Sequence, residues 1–267
     1  MNKLQQQLEN KKYLIMGILN FTPDSFSDGG DFYNVETAIL QIESMIKDGA
    51  NIIDIGCEST RPGATKITVE EEISRLGRIL PEVRRTFPNV LLSIDTYKKK
   101  VADFALQNGV DIINDVYGAK NNDMAEIAVK YNAPIIIMHN ESVSEGREIN
   151  DVISSLKESI DICLEKGVPR ENIIIDPGIG FNKNVDNNIA ITKNLEDLAQ
   201  LGFTILYAAS RKRTVDYILG GSSLPKDRDV VSAALSLEAI RKGASIVRMH
   251  NVKIMYEMLA TYKTINK

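Results

Sequence analysis

The chain has only two cysteines in 267 residues, Cys57 and Cys163, far apart and without the close Cys or His partners that a metal site needs. They read as buried, reduced thiols. Long apolar runs are also missing: Ile135 to Met138 is among the longest, and a membrane-spanning helix needs roughly 20 such residues. Residues 1–12, rich in Gln, Lys and Asn, contain no apolar secretory core. They read as a short polar N-terminal extension, and the chain as cytoplasmic, with no membrane partner. Charge of one sign does not dominate either. The net charge is −4, with basic and acidic residues interspersed, so nucleic acid is not an expected partner. Lys98 to Lys100 form a dense basic run and read as one turn of solvated helix.

What is present is ordinary globular composition, 43% apolar and 25% charged, and a repeating punctuation. An amphipathic stretch, then a glycine, then a short β-rich run recurs at Gly49, Gly109, Gly167, Gly202 and Gly243. Glycine accepts the left-handed conformation that ends a helix and turns the chain into the next strand. The helical stretches keep one apolar face, as in Val35, Ala38, Ile39, Ile42 and Ile46, or Val69, Ile73, Leu76, Leu80, Val83 and Phe87. Pro81 interrupts the second stretch, where a kink or break is expected.

Nearly continuous apolar runs predict eight strands covered on both faces, at about 13–20, 51–57, 90–95, 110–115, 134–139, 172–177, 203–209 and 244–250. Eight such strands alternating with helices predict an α/β chain folded as one (β/α)8 TIM barrel over residues 1–267. No linker divides the chain, and no Gly-x-Gly-x-x-Gly follows the first strand to support an open dinucleotide-binding sheet.

The strands end in polar groups: Asn20, Glu58, Asp95, Asn114 with Asp115, His139 with Asn140, Asp176, Ser210 to Lys212, and Arg248 with His250. In a barrel of this kind these positions converge on the C-terminal mouth, where the chemistry lies. Any one of them could merely cap a helix; eight at one face point to an active site. Arg248 and His250 fall where barrels bind phosphate, and Asn20 beside such a site could offer an oxygen to Mg²⁺. Two loops are long for connectors: Phe21 to Gly30 suits a lid, and Glu58 to Ala64 presents Arg61 beside Pro62 and Gly63.

These motifs together resemble the dihydropteroate synthases of the pterin-binding barrel group. The matching segments are Met16 to Gly30, Asp54 to Ala64, Ser93 to Thr96, Ile112 to Asp115, Met138 with His139, Asp176 to Phe181, Ser210 to Arg213 and Val247 to His250. The resemblance implies a transferase of folate biosynthesis that joins para-aminobenzoate to 6-hydroxymethyl-7,8-dihydropterin pyrophosphate and releases pyrophosphate. It implies that Asp95, Asn114, Asp176 and Lys212 hold the pterin, and that Arg248, His250, Asn20 and Mg²⁺ hold the pyrophosphate, with Thr60 also contacting that substrate and Asp28 ordering the first loop. Phe26, Thr60, Arg61, Pro62, Phe181, Lys212 and Arg213 would frame the aminobenzoate, whose carboxylate would meet the helix beginning near Arg213. It also implies a homodimer, for which the apolar stretch Val230 to Ile240 is the candidate face.

Three positions depart from the family pattern: Cys57, Ala208 with Ala209, and Asn251. Cys57 and Ala209 are expected to narrow a strand mouth, and Asn251 to remove a charge near the anion site. Other readings are a methyltetrahydrofolate-binding methyltransferase on the same barrel, a non-catalytic pterin-binding protein, and a phosphosugar isomerase or aldolase.

Overall fold

The computed structural model describes residues 2–22, 31–58 and 65–266, the side chains of residues 31–34 apart. The chain opens with α1 (Lys3–Lys11), β1 (Leu14–Asn20), α2 (Asp31–Lys47), β2 (Ile52–Gly56), α3 (Val69–Thr86), β3 (Leu91–Asp95), α4 (Lys99–Gln107), β4 (Ile112–Asp115) and α5 (Met124–Tyr131). It continues with β5 (Ile135–Met138), α6 (Glu148–Glu165), β6 (Ile173–Asp176), α7 (Val185–Lys193), α8 (Leu195–Ala199), β7 (Thr204–Tyr207), α9 (Arg213–Ile218), α10 (Asp229–Arg241), β8 (Ile246–Met249) and α11 (Val252–Ile265).

The eight strands pair in parallel and in chain order, and β8 closes onto β1. All eight expected strands are present. The five junction glycines all have positive φ, from 70° at Gly202 to 107° at Gly243, as turns out of a helix require.

Strand side chains alternate between two destinations. One set, including Ile53, Ile55, Leu92, Ile94, Ile113, Ile135, Ile175 and Val247, packs outward with the helices. The other set fills the lumen floor with Leu14, Met16, Ile52, Leu91, Ile112, Ile136, Ile174, Leu206 and Ile246. Two residues further along the same strands stand Asp54, Ser93, Asn114, Asp176 and Arg248. Alternation by two therefore stacks a polar layer directly above an apolar floor.

Three expectations change. The polar extension is a helix: Asn2 and Gln5 form a capping box, and Leu4, 3% exposed, joins the lumen floor with Leu8 packed against it. Helix α3 runs unbroken through Pro81, because Leu76, Ile79, Leu80 and Val83 bury the same face on both sides of it. Lys98 is not a solvated residue of a helical turn. It precedes α4, and its side chain is 11% exposed against two glutamates.

Candidate active site

The centre of the mouth is an ion-paired cluster built from four strands. Arg248 on β8 donates through Nε to Asp54 on β2 at 2.6 Å, and through a terminal nitrogen to Asp95 on β3 at 2.9 Å. Asn114 on β4 donates to the same Asp54 oxygen at 3.0 Å. Among the described residues, the second oxygens of Asp54 and of Asp95 are buried without a hydrogen-bond partner. A buried carboxylate oxygen in that state is an acceptor held ready for a donor. Burial pushes the Asp95 carboxyl above the usual carboxylate range, with Arg248 beside it pulling the other way.

Asp54 is the residue that sequence reading missed. Its place in an apolar strand made it look like part of a family motif only, yet it shares the parity of Ile52 and so faces the lumen.

On the opposite side, Asp176 closes β6 and accepts from the Gly178 N–H at 2.7 Å, which turns the following loop back over the mouth. Burial raises this carboxyl too, with Lys212 opposing. Lys212, the residue before α9, donates to the Ile179 carbonyl and lies 4.5 Å above the Phe181 ring. Burial lowers its ammonium to about 8, although Asp176 and Asp95 favour the charged form. Lys212, Asp176, Asp95 and Arg248 thus share one electrostatic site.

His250 stands at the rim. Its backbone N–H donates to Ser210 Oγ at 3.1 Å, and Ser210 Oγ lies 2.9 Å from His250 Nδ1. With the serine hydroxyl donating to Nδ1, a neutral ring carries its proton on Nε2, where it is a donor. Asn20 ends β1. A Cβ placed on Gly56 would lie 3.9 Å from both Asn20 Oδ1 and Asp95 Oδ2, so the bare glycine leaves these two oxygens facing a common space.

The structure therefore gathers Asn20, Asp95, Asn114, Asp176, Phe181, Lys212, Arg248 and His250 at one mouth. Arg213 begins α9 but is exposed. Asp28, Phe26, Thr60, Arg61 and Pro62 lie outside the described residues. Among the described residues no group of three His, Cys, Asp or Glu side chains is placed to hold a metal.

Asp115, also at a strand end, has structural work. Asp115 accepts from the N–H groups of Tyr117 and Ala119 at 2.9 and 2.7 Å. His139 is buried, and desolvation pulls its imidazole down to about 4.

Of the three departures, Cys57 and Ala209 pack in the outer core among the helices rather than narrowing the mouth. Both cysteines are free and buried, as expected. Asn251 caps α11 by accepting from Ile254 N–H at 3.3 Å, and it donates to Asp229 at 3.1 Å.

Comparison of the chain with known proteins gives one answer. The model of a family described as "Pterin binding enzyme" matches residues 16–250. A dihydropteroate synthase of Streptococcus pyogenes serotype M6 is 46% identical over 248 residues, covering 92% of this chain and 93% of that protein. The crystal structure of a dihydropteroate synthase from Clostridium difficile in the presence of pteroic acid superposes with a TM-score of 0.91, at 39% identity and with 96% and 97% of the two chains covered. That of the Xanthomonas albilineans enzyme with 4-aminobenzoic acid gives 0.90, at 33% identity and with 95% and 93% covered. Matched across most of its length by family model, sequence and fold alike, this chain belongs to the pterin-binding enzymes, within the branch of the dihydropteroate synthases.

Proposed function

We propose that the chain condenses 6-hydroxymethyl-7,8-dihydropterin pyrophosphate with para-aminobenzoate, giving 7,8-dihydropteroate and pyrophosphate. The observation that carries this reading is the polar layer above the lumen floor, in which Asp95 and Asp176 face Lys212 and Arg248 in one buried site. A flat heterocycle with an exocyclic amine and an adjacent ring N–H needs carboxylate acceptors at one edge, and its carbonyl needs a cation at the other. Among the described residues one buried Asp95 oxygen has no partner, and Asn114, Asp176 and Lys212 would supply the rest. An analogue without those donors leaves the acceptors desolvated and unpaired, which is the basis of specificity.

Arg248 can hold the pterin-reading carboxylates and the pyrophosphate at once. A guanidinium has five N–H groups, and among the described residues two of them are committed, to Asp54 and Asp95. The rest, with His250 Nε2, would meet phosphate oxygens at the rim. Asn20 suits Mg²⁺, a hard cation that takes one or two protein oxygens and completes its shell with water and substrate phosphate. When bound, Mg²⁺ would supply positive charge to the departing pyrophosphate. Asp28 would order the first loop, and Phe26, Thr60, Arg61 and Pro62 would enclose the aminobenzoate against Phe181 and Lys212. Arg213, exposed at the start of α9, offers a charge for its carboxylate, and Thr60 adds a contact to the pterin substrate.

The reaction breaks the bond between the pterin methylene carbon and the pyrophosphate oxygen, and forms one from that carbon to the arylamine nitrogen, which loses a proton. The dihydropterin ring delocalises positive charge developing on the methylene, so no strong base is required. Orientation and charge stabilisation supply most of the acceleration. Steady-state release of pyrophosphate that requires both substrates tests the reading. Methyl transfer to a corrinoid protein, or binding of the pterin without turnover, would overturn it. The chain is also proposed to act as a cytoplasmic homodimer; no described helix is long and apolar enough to cross a membrane.

A further inference from the structure

The loop that follows β6 passes between two lysines. On one side Lys212 donates to the Ile179 carbonyl, and a Cβ on Gly180, at φ 81°, would lie 2.8 Å from the Lys212 side chain. On the other side Lys183 donates to the carbonyls of Gly178 and Phe181, both at 3.0 Å, and to that of His139, just after β5, at 3.3 Å. The lysine is rooted on a fixed stretch of backbone. Asn184, the next residue, caps α7: it accepts from the Asn187 N–H at 2.8 Å, and the Asn187 side chain accepts from the Asn184 N–H at 3.1 Å.

A lysine ammonium has three N–H groups, and here each meets a carbonyl oxygen rather than a carboxylate. Burial pulls the Lys183 ammonium down to about 7, with Asp176 opposing and Lys212 adding to the fall. A desolvated cation held by carbonyls alone is a costly way to gain stability. What it supplies is geometry, since one group ties the loop both to itself and to the neighbouring strand. Asp176 has anchors of its own: it pairs with Met138, its carbonyl accepts from the His139 N–H at 3.0 Å, and its carboxylate takes the Gly178 N–H. Further along, the Gly180 N–H donates to Asn188 of α7 at 2.8 Å. Phe181 depends more directly on the lysine. Its N–H donates to the Gly178 carbonyl at 3.1 Å, the same oxygen that Lys183 holds, and its own carbonyl accepts from Lys183.

We propose that Lys183 is a positioning residue for the second substrate: it straps the loop after β6 to the end of β5 and so sets the Phe181 ring beside Lys212, where the aminobenzoate is to lie. This rests on the proposed reaction and on the assignment of Phe181 to the aminobenzoate. Lys183 acts through Phe181 and contributes no contact of its own.

The test compares Lys183→Met, which keeps the apolar stem and removes the donors, with Lys183→Gln, which leaves two N–H groups for three carbonyls. Val83→Ala, a truncation of a fully buried residue on α3, is the control for lost stability alone. Lys183→Met is expected to raise KM for aminobenzoate about tenfold while changing KM for the pterin pyrophosphate by less than about threefold. Lys183→Gln should raise the aminobenzoate KM about threefold, and Val83→Ala should lower the thermal midpoint with both KM values unchanged. In a Phe181→Leu background, Lys183→Met should add less than about twofold, because both act through one ring. A normal aminobenzoate KM in Lys183→Met would overturn the proposal. So would equal rises for both substrates, full additivity with Phe181→Leu, or the same rise in Val83→Ala. If Lys183→Met does not fold, Lys183→Gln decides, and a normal aminobenzoate KM there overturns the proposal. Failure of the wild-type protein to turn over the two substrates would instead sink the assigned reaction, which separates the two failures.

Discussion

Asp95 and Lys212 set opposite limits on the pH range of activity. In the proposed complex Asp95 meets the pterin N–H donors as a carboxylate, and burial has raised its pKa; pterin capture is therefore expected to weaken as pH falls through that raised value. In the proposed complex Lys212 supplies positive charge only when protonated, and burial has lowered it to about 8; that charge is lost as pH rises through that value. The expected kcat/KM for the pterin substrate is a bell whose acid limb lies above the ordinary carboxylate range and whose basic limb lies near pH 8. Asp95→Asn should abolish the acid limb, and a profile flat from about pH 6 to 9 would contradict these assignments. At this scale the sequence was legible where a polar residue ends an apolar run, as with Asp95, Asn114 and Asp176. Asp54 was hidden because its signal is parity within a strand, and that shows only when the neighbouring strands are in register. Lys98 was misread because its two glutamates come from segments 26 and 40 residues away in sequence.

Elements were the most legible level, since strands buried on both faces and helices with one apolar stripe write different periods into the chain. The helix before β1 was not, because a mostly polar helix shows its role only through Leu4 and Leu8 meeting a lumen floor made by distant strands. The loop after β6 is the element that most constrains the site, because it runs from Asp176 to Phe181. Its turn depends on Gly178, at φ 69°, where a Cβ would stand 1.8 Å from the His139 carbonyl oxygen. Gly146 has a similar φ of 74° but open space around it. Gly146→Ala should therefore cost only the left-handed penalty, about 1–2 kcal/mol. Gly178→Ala should cost clearly more and disturb Phe181 and Lys212 with it. Urea unfolding of both variants compares them, and equal losses would mean that the β6 loop relaxes freely.

At the scale of the whole molecule, the exposed apolar surface differs from the expectation drawn from Val230 to Ile240. Within that stretch Leu235 and Leu237 pack against the core, while Val230 is 57% exposed. More of the patch comes from Tyr217, Ile218, Leu219 and Leu224, the last 70% exposed. The Asp216–Arg228 ion pair at 3.0 Å and the bond from Ser223 to Asp216 tie these segments together beside α10. Exposed apolar side chains on segments tied together in this way are a candidate contact between copies of the chain. Sedimentation should show a dimer that Leu224→Asp with Val230→Asp converts to monomer, and an unchanged dimer would place the contact elsewhere. The barrel, its mouth and the family were legible in the chain because they rest on local patterns repeated eight times. The pairing of Arg248 with both Asp54 and Asp95 was not, since it joins residues 194 and 153 positions apart. The most direct measurement is pyrophosphate release with both substrates and Mg²⁺, in the wild type and in Asp95→Asn and Arg248→Ala proteins shown by circular dichroism to be folded. Turnover in the wild type that needs both substrates, reduced about 10²-fold or more in each variant, is the expected result. Near-normal turnover in either variant would show that the chemistry does not take place in this polar layer.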